Sequence, residues 1–257
     1  MELKLPETWI GHWKTTDLFE HVFNIQGEIF REQPGRKTLK FYEANQAYFL
    51  KLHFGVGWIE IFKNLFQLRS PVLGAQNEVH AIQHLEKYHF TPQLIGYGWR
   101  GKNPATQESF VICKALENTI SLEDFCRDWK TQAPPLSLKW ALIKKIAYIA
   151  KTMHDSGVNH RDFYICHFLL DQTDSHLYVI DWHRAQVRKK VPLRWRIKDI
   201  AGLYFSAMDA GLTQKDLWRF MRLYNKNHDP VFWQHVIKRA TKLYRKTFKR
   251  DPDYVPR

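Results

Sequence analysis

The chain is short of cysteine and of long apolar runs. Its 257 residues include three cysteines, Cys113, Cys126 and Cys166, in neither a CxxC pair nor a zinc-type spacing. This pattern excludes a disulfide framework and a structural zinc site, and free thiols are typical of a reducing compartment. No apolar run reaches the roughly 20 residues of a membrane-spanning helix. Residues 1–6 lack the apolar core of a signal peptide. We therefore expect a cytoplasmic protein.

Acidic residues are also scarce relative to basic ones. The sequence has 26 Asp and Glu against 39 Lys and Arg, a formal net charge of +13. Such a balance favours anionic partners: a phospholipid surface, a phosphorylated glycolipid, an acidic protein or a nucleic acid. The basic residues are spread along the chain, and no RRM, helix-turn-helix or zinc-finger pattern occurs. We therefore predict no nucleic-acid partner, whereas an acidic protein partner stays open.

The chain lacks the GxxxxGK[ST] motif, which disfavours a P-loop nucleotide fold. A different phosphate-transfer signature is present. His160-Arg161-Asp162 is followed, nineteen residues after Asp162, by Asp181 at the end of the apolar run 177–180. This spacing is typical of the catalytic and metal-binding loops of protein-kinase-like folds. The signature predicts Asp162 as the carboxylate that acts on the attacking hydroxyl, and Asp181 as the ligand of the magnesium that bridges the nucleotide phosphates.

The order of strand-like and helix-like segments agrees with that fold. Alternating residues and turn signals predict strands in the first half, and apolar periodicity predicts helices in the second half. The strands are expected at 28–31, 38–42, 47–52, 95–98 and 109–113, and the helices at 58–68, 76–88 and 137–156 and after Thr213 and Pro230. We predict an α+β, two-lobed protein-kinase-like fold. Its small β-rich N-lobe spans 1–114, and its larger helical C-lobe spans 115–257, with a hinge at 115–118.

Several stretches resemble the lipopolysaccharide core heptose(I) kinases of Gram-negative bacteria, a family of the protein-kinase-like superfamily. They are residues 48–51, 70–75, 159–170, 179–185, 198–206 and 211–214. The resemblance implies phosphorylation of the first heptose of the lipopolysaccharide inner core, with ATP and Mg²⁺ as cofactors. It also implies peripheral contact with the anionic cytoplasmic face of the inner membrane. Two alternatives stay open: another small-molecule or protein kinase of this fold, and a non-catalytic pseudokinase adaptor at the membrane.

The kinase-like pattern assigns nucleotide-binding residues in the N-lobe. Lys51, on the third predicted strand, is expected to contact the α and β phosphates and to pair with a helical glutamate. Glu78 is the candidate partner, and Glu60 on the preceding helix is the rival. The glycine-rich loop is reduced to the turn 33–36, so Gly35 with Arg36 is expected to cradle the phosphates.

The catalytic loop departs from the usual kinase pattern at one position. His167 stands five residues after Asp162, where kinases carry an asparagine that binds the second metal. An imidazole prefers softer ions than magnesium, so His167 is either a metal ligand of an altered second site or a structural hydrogen-bonder. His160 and Arg161 are expected to support the loop. Asp199 resembles the helix-start aspartate that braces this loop in kinase folds.

Two further segments have both a functional and a structural interpretation. The helix 58–68 carries Trp58 and Phe62 at helical spacing, which suits either an interfacial membrane helix or ordinary core packing. A run of basic residues follows Asp181, where kinase-like folds receive the acceptor. Its members are Arg184, Arg188, Lys189, Lys190, Arg194, Arg196 and Lys198. We expect Arg184, Arg188, Lys189 and Lys190 to bind an anionic acceptor; the alternative is a solvated basic face.

Overall fold

The computed structural model describes residues 1–66, 71–225 and 229–253. The chain forms two compact units. The first contains Met1–Leu116 together with Asp181–Arg184, and the second contains Glu117–Ile180 together with Ala185–Arg257. The short segment Asp181–Arg184 belongs to the first unit, which a single division after residue 114 does not anticipate. Positions 67 and 68 of the helix expected at 58–68 lie outside the described residues.

The first unit is built on a six-stranded antiparallel sheet. Its strand order is β1-β5-β6-β4-β3-β2. The strands are β1 (Glu2–Lys4), β2 (Glu28–Gln33), β3 (Arg36–Glu43), β4 (Gln46–His53), β5 (Leu94–Arg100) and β6 (Glu108–Lys114). Ala44 and Asn45, both with positive φ, form the two-residue turn between β3 and β4. Such a turn matches the twist of paired strands, and it fixes the register that pairs Thr38 with Lys51.

Four α-helices accompany this sheet: α1 (Glu7–Trp13), α2 (Leu18–Phe23), α3 (Gly57–Phe66) and α4 (Gln76–Leu85). One apolar cluster of the unit joins Trp9 and Phe19 of the first two helices to Leu50 and Leu52 of β4 and Phe110 of β6. Because side chains alternate along a strand, Lys51 lies on the face opposite to Leu50 and Leu52. The sheet therefore buries one face under the N-terminal helices and presents Lys51 on the other.

The second unit is mainly helical. Its helices are α5 (Leu122–Phe125), α6 (Leu136–Asp155), α7 (Leu193–Ala207), α8 (Gln214–Tyr224) and α9 (Pro230–Phe248). Its strands are β7 (Thr119–Ser121), β8 (Val158–Asn159), β9 (Phe168–Asp171), β10 (Leu177–Val179) and β11 (Gln186–Val187). They form one three-stranded sheet, β10-β9-β7, and one two-stranded sheet, β11-β8. The two short sheets hold the segments on either side of the His-Arg-Asp motif.

Cap residues set the limits of these helices. Thr213 and Asp216 form a reciprocal capping box at the start of α8, and Asp229 caps α9 ahead of Pro230. Gly157 follows α6 with a φ of +93°. A Cβ there would meet the carbonyl oxygen of Arg188 at 2.0 Å. Glycine is therefore required where the chain leaves α6 and enters β8.

Candidate active site

Lys51 is the centre of an ionic cluster in the first unit. Its Nζ lies 2.6 Å from Glu78 Oε1 and 3.6 Å from Asp181 Oδ1. Burial alone would lower the pKa of Lys51, but the charges of Glu78 and Asp181 outweigh that effect and raise the pKa to about 12. The ammonium group therefore stays protonated at physiological pH and is held in one place, as a contact for phosphate oxygens requires.

Glu78, in the first turn of α4, is the partner of Lys51 in the structure. The glutamate is 3% exposed, so removal of its cation would leave a buried and uncompensated charge. The rival candidate, Glu60, lies on α3 and pairs with Lys63 at 3.2 Å on the surface. The ion pair expected between the β4 lysine and a helical glutamate is thus present, and it involves Glu78.

Asp181 is held in an uncommon backbone conformation. Its φ is +66°, a region that non-glycine residues seldom occupy. Its Oδ1 accepts a 2.6 Å hydrogen bond from Nδ1 of His183. The next residue, Trp182, is fully buried, and the side-chain amide of Asn77 on α4 donates to the His183 carbonyl at 3.4 Å. These contacts fix the carboxylate beside Lys51 in the first unit.

A carboxylate in this setting suits a magnesium ion. Mg²⁺ prefers oxygen ligands and is usually bound through one or two carboxylates together with substrate phosphates. Over the described ranges, no three His, Cys, Asp or Glu side chains come together as an all-protein metal cage. A magnesium site that is completed by nucleotide phosphates does not require an all-protein cage.

The turn between β2 and β3 brings two backbone segments together. Gly35 has a φ of +75°, and a Cβ there would meet the carbonyl oxygen of Gly55 at 2.6 Å. The amide of Phe54 donates to the Gly35 carbonyl at 2.9 Å. Arg36 opens β3, and its guanidinium donates to the Gln33 side chain at 3.3 Å. The turn is closely packed at Gly35, and the phosphate-binding role of Gly35 and Arg36 stays a prediction.

His53 is a residue of this region that sequence reasoning missed. It lies two positions after Lys51 on β4 and thus on the same face, and it is 3% exposed. Burial, and then the positive charges of Arg36, Lys51 and His183, lower the pKa of His53 to about 3. Its ring is therefore neutral, and its Nε2 is buried without a hydrogen-bond partner. The two-residue spacing from Lys51 was the signal that could have indicated it.

The catalytic loop of the second unit is held by Asp199. The two carboxylate oxygens accept 2.8 Å hydrogen bonds from the backbone amides of His160 and Arg161. The Oδ2 atom also lies 3.3 Å from His154 Nε2, and His154 Nδ1 lies 2.8 Å from the Tyr224 hydroxyl. Asp199 lies inside α7 rather than at its start, so the helix-start position expected from the sequence is wrong. Its contact with the loop backbone is nevertheless present.

His167 and His160 shape the backbone around Asp162. Nδ1 of His167 donates to the carbonyl oxygen of Asp162 at 2.7 Å. The Nε2 atom of His160 lies 3.0 Å from the carbonyl oxygen of Ile180, and the Ile180 amide donates to the His167 carbonyl. His167 is therefore a structural hydrogen-bonder in this loop. A metal-ligating histidine commonly makes the same kind of backbone contact, and the metal role of His167 stays a prediction.

The basic run after Asp181 divides into different environments. Arg188 donates to the side chains of Gln186, at 2.7 Å, and Asn159, at 3.4 Å. Lys189 and Lys190 are exposed. Arg184 ends the short 3₁₀ helix Trp182–Arg184 of the first unit. The structure thus gives Arg188 a local structural contact, and the acceptor-binding role of the four residues stays a prediction.

The apolar face of α3 is on the surface. Trp58, Ile59, Phe62, Leu65 and Phe66 are between 49% and 87% exposed, whereas Ile61 is buried. The rings of Trp58 and Phe62 stack with centroids 5.7 Å apart. Ordinary core packing, one of the two interpretations of this helix, is therefore wrong for Trp58 and Phe62. Within the described ranges, none of the helices combines the length and apolar character of a bilayer-crossing segment.

The second unit contains a partly open apolar cavity of about 110 Å³. Leucine and isoleucine are the commonest residues in its lining, among them Leu142 and Ile146 of α6 and Leu217 of α8. Its lining also includes the charged residues Lys139 and Asp216, which form a buried ion pair at 2.8 Å. The cavity is large enough for a slender apolar group and is unsuited to a charged one.

Three features together define a kinase-like phosphotransferase. They are a β4 lysine paired with an α4 glutamate, an aspartate at the end of an apolar run, and a His-Arg-Asp loop whose backbone is held by Asp199. The family model described as "Lipopolysaccharide kinase (Kdo/WaaP) family" matches residues 20–224. The chain belongs to this family, which confirms the resemblance, the kinase-like fold and the enzyme class expected from the sequence.

Curated relatives and a solved structure agree with that family. The chain is 48% identical over 229 residues to "Lipopolysaccharide core heptose(I) kinase WaaP" of Escherichia coli, covering 86% of each chain. It is 47% identical over 231 residues to the protein of the same name from Pseudomonas aeruginosa, covering 87% of this chain and 86% of the relative. The solved structure "WaaP in complex with acyl carrier protein" aligns with a TM-score of 0.81 at 40% identity, over 95% of this chain and 100% of that one.

Proposed function

We propose that this protein transfers the γ-phosphoryl group of ATP to a hydroxyl of the first heptose of the lipopolysaccharide inner core. The observation that carries the proposal is 47–48% identity, over most of the chain, to relatives named as heptose(I) kinases. The relatives also favour an active enzyme over a non-catalytic adaptor. Lys51, Asp162 and Asp181, the side chains that such a reaction requires, are all present in this sequence.

Each of these side chains has a defined role in the proposed reaction. Lys51 contacts the α and β phosphates, and Glu78 keeps its ammonium group in position. Asp162 orients the heptose hydroxyl and accepts its proton as the new O–P bond forms and the bond from the γ-phosphorus to ADP breaks. Asp181 would hold a magnesium ion, which neutralises phosphate charge when bound. Asp199 keeps the loop backbone in place through the amides of His160 and Arg161.

The function is tested with purified components. The protein is incubated with ATP, Mg²⁺ and deep-rough lipopolysaccharide that carries heptose, and the glycolipid is analysed by mass spectrometry. The expected product has gained one phosphate. Lipopolysaccharide truncated before the first heptose is the control acceptor and should remain unmodified. A glycolipid that gains no phosphate, or a gain that does not require heptose, would contradict the proposed acceptor.

We also propose peripheral membrane attachment on the cytoplasmic side, and the exposed face of α3 supports the attachment itself. A helix with exposed Trp and Phe and with Lys63 nearby suits the headgroup region of an anionic bilayer. Replacing Trp58 and Phe62 by Ser should weaken co-sedimentation with anionic vesicles. The melting temperature should change little, because both side chains are about half exposed already.

The control for this experiment is the pair of changes Trp140→Ser and Tyr148→Ser. These aromatic side chains are 42% and 56% exposed on α6. They should leave vesicle binding unchanged. Unchanged vesicle binding of the Trp58 and Phe62 variant, or its unfolding, would remove α3 as the attachment surface.

An acidic protein partner is supported by the neighbour's complex with an acyl carrier protein. We propose that this protein, with a net charge of +13, binds an acyl carrier protein as well. The apolar cavity of the second unit would receive part of the acyl chain, because burial of apolar surface is favourable and the cavity walls are mainly apolar.

A variant that fills this cavity should distinguish binding of the acyl chain from binding of the carrier protein itself. Leu217→Trp places a larger side chain at the cavity wall. We expect acylated carrier protein to raise the melting temperature of the wild type more than unacylated carrier does, and the difference to vanish in the variant. Leu223→Trp, at an exposed position of the same helix, is the control and should keep the difference. A difference that persists in Leu217→Trp would show that the chain binds elsewhere.

A further inference from the structure

One face of α9 carries only positive charge. This helix contains no aspartate and no glutamate along its 19 residues. Four exposed cations form what we call the basic face: Lys238, Arg239, Lys242 and Lys246. At 3.6 residues per turn, the four lie within about 100° of the helix circumference. The buried residues lie on the opposite side: Trp233, Val236, Ala240 and Tyr244.

The cations of the basic face have no compensating partner within the described parts of the chain. None of their four side chains takes part there in an ion pair or a hydrogen bond. Other cations of the second unit differ in this respect. Lys139 binds Asp216 and Arg196 binds Asp155, each at 2.8 Å. The positive charge of the basic face is therefore available to an external anion.

Helix stability does not explain the basic face. Like charges four residues apart, such as Lys238 and Lys242, repel one another and destabilise a helix. Cations are favourable in the last turn, at the negative end of the helix dipole, and Arg245 and Lys246 lie there. Lys238, Arg239 and Lys242 lie in the middle of the helix, outside that turn. A negatively charged partner would relieve the repulsion between them.

The helix α9 also packs against the elements that hold the catalytic loop. The ring of Phe248 lies 6.0 Å from that of Phe205 on α7, and the Phe205 ring lies 6.1 Å from that of Tyr164, measured between centroids. Tyr164 follows Asp162 by two residues. A surface that binds α9 is therefore attached to the unit that carries the catalytic carboxylate.

The composition of the basic face favours a bilayer surface over a protein partner. Three of its four cations are lysines, and lysine is depleted in protein interfaces, whose cores favour aromatic residues and arginine. Between Lys238 and Lys246, no large apolar side chain is exposed. Flexible lysine side chains suit the phosphates of lipid headgroups, and clusters of basic residues bind anionic leaflets in this way.

We propose that Lys238, Arg239, Lys242 and Lys246 bind the phosphate groups of an anionic phospholipid bilayer. This inference rests on the proposed function, in which the acceptor is a glycolipid held in a membrane. The contact is electrostatic and belongs to the second unit, whereas the apolar face of α3 belongs to the first. It keeps the unit that carries Asp162 on the surface in which the acceptor is anchored.

Co-sedimentation of the triple variant Lys238→Gln, Arg239→Gln, Lys242→Gln with vesicles tests this contact. One cation near an anionic surface changes the affinity about 5-fold, so the variant should bind vesicles of phosphatidylcholine and phosphatidylglycerol about 100-fold less tightly than wild type. Vesicles of phosphatidylcholine alone should bind both proteins alike. The difference between the two proteins should shrink as salt rises, because exposed charges are screened.

A matched control separates the basic face from the net charge of the protein. Lys144→Gln, Lys215→Gln, Arg222→Gln removes the same three charges from exposed positions of α6 and α8 in the same unit. This variant should bind the anionic vesicles nearly as tightly as wild type. An equal loss of affinity in both triple variants, or no loss in the α9 variant, would overturn the proposal.

A charge-preserving variant excludes a structural cause. Lys238→Arg with Lys242→Arg keeps both charges and should retain wild-type affinity for the anionic vesicles. All substituted side chains are exposed, so each variant should melt close to the wild-type temperature. If the arginine variant bound the vesicles as weakly as the glutamine variant, charge would not be the cause and the proposal would fail.

Two further outcomes distinguish this contact from the other proposed activities. Acylated carrier protein should bind the α9 glutamine variant as tightly as it binds wild type. A loss of carrier affinity with unchanged vesicle binding would make α9 a protein-docking surface and overturn the proposal. Vesicle binding needs no catalysis, so a protein that binds anionic vesicles through α9 but does not phosphorylate lipopolysaccharide would refute the proposed function and retain the contact.

Discussion

Replacing Asp162 by Asn should lower kcat by about 10²- to 10⁴-fold, the usual cost of losing a well-placed general base. An amide cannot accept the proton of the heptose hydroxyl. The shape of the loop should survive, because it is fixed by backbone contacts: Asp199 holds the amides of His160 and Arg161, and His167 donates to the carbonyl of Asp162. Melting temperature and ATP affinity should therefore stay close to wild type.

The measurement is steady-state turnover with calorimetry of ATP binding on the same preparation. Asp174→Asn, an exposed aspartate of the β9–β10 turn, is the control and should keep full activity. A folded Asp162→Asn protein with near-wild-type kcat would remove Asp162 from the chemistry. Reduced activity accompanied by an equal loss of ATP affinity would place this aspartate on the nucleotide instead.

Sequence periodicity was sufficient for the main elements of both units. The strand pattern found β2 to β6, because alternating side chains and the turns at 33–36 and 43–45 are local signals. The helix predicted at 137–156 agrees with α6, whose end Gly157 marks. The pattern did not predict α7, since its first turn lacks a capping side chain and an acidic residue. Because local sequence signals are absent there, tertiary packing sets the start of α7.

Side-chain partners were harder to derive. Glu78 and Glu60 are equally acidic, and only the packing of α4 selects Glu78 as the partner of Lys51. The apolar residues of α3 have the same helical spacing whether they face a core or solvent, so exposure could not be read from the pattern. His53 was missed because a lone histidine on a strand carries no motif. What distinguishes His53 is its lowered pKa, which results from burial and from the nearby charges of Arg36, Lys51 and His183.

Asp181→Asn should have an equally large effect through the metal. The carboxylate is the proposed magnesium ligand, and a metal in this role contributes several kcal/mol of transition-state stabilisation, so kcat should fall by about 10³-fold. The Mg²⁺ concentration that gives half-maximal activity should rise at least about 10-fold. Lys51 should keep its charge, because Glu78 still lies 2.6 Å from its Nζ.

Calorimetry with ATP in the presence and absence of Mg²⁺ isolates that effect. In the Asn variant, Mg²⁺ should no longer strengthen nucleotide binding, whereas metal-free ATP should bind as well as, or better than, it does to wild type, since a negative charge beside the phosphates has been removed. Glu7→Gln, on the exposed surface of α1, removes an equal charge in the same unit and should change neither value. If Mg²⁺ strengthens ATP binding as much in the Asn variant as in wild type, Asp181 does not hold the metal. Its contacts with Lys51 and His183 would then be structural only.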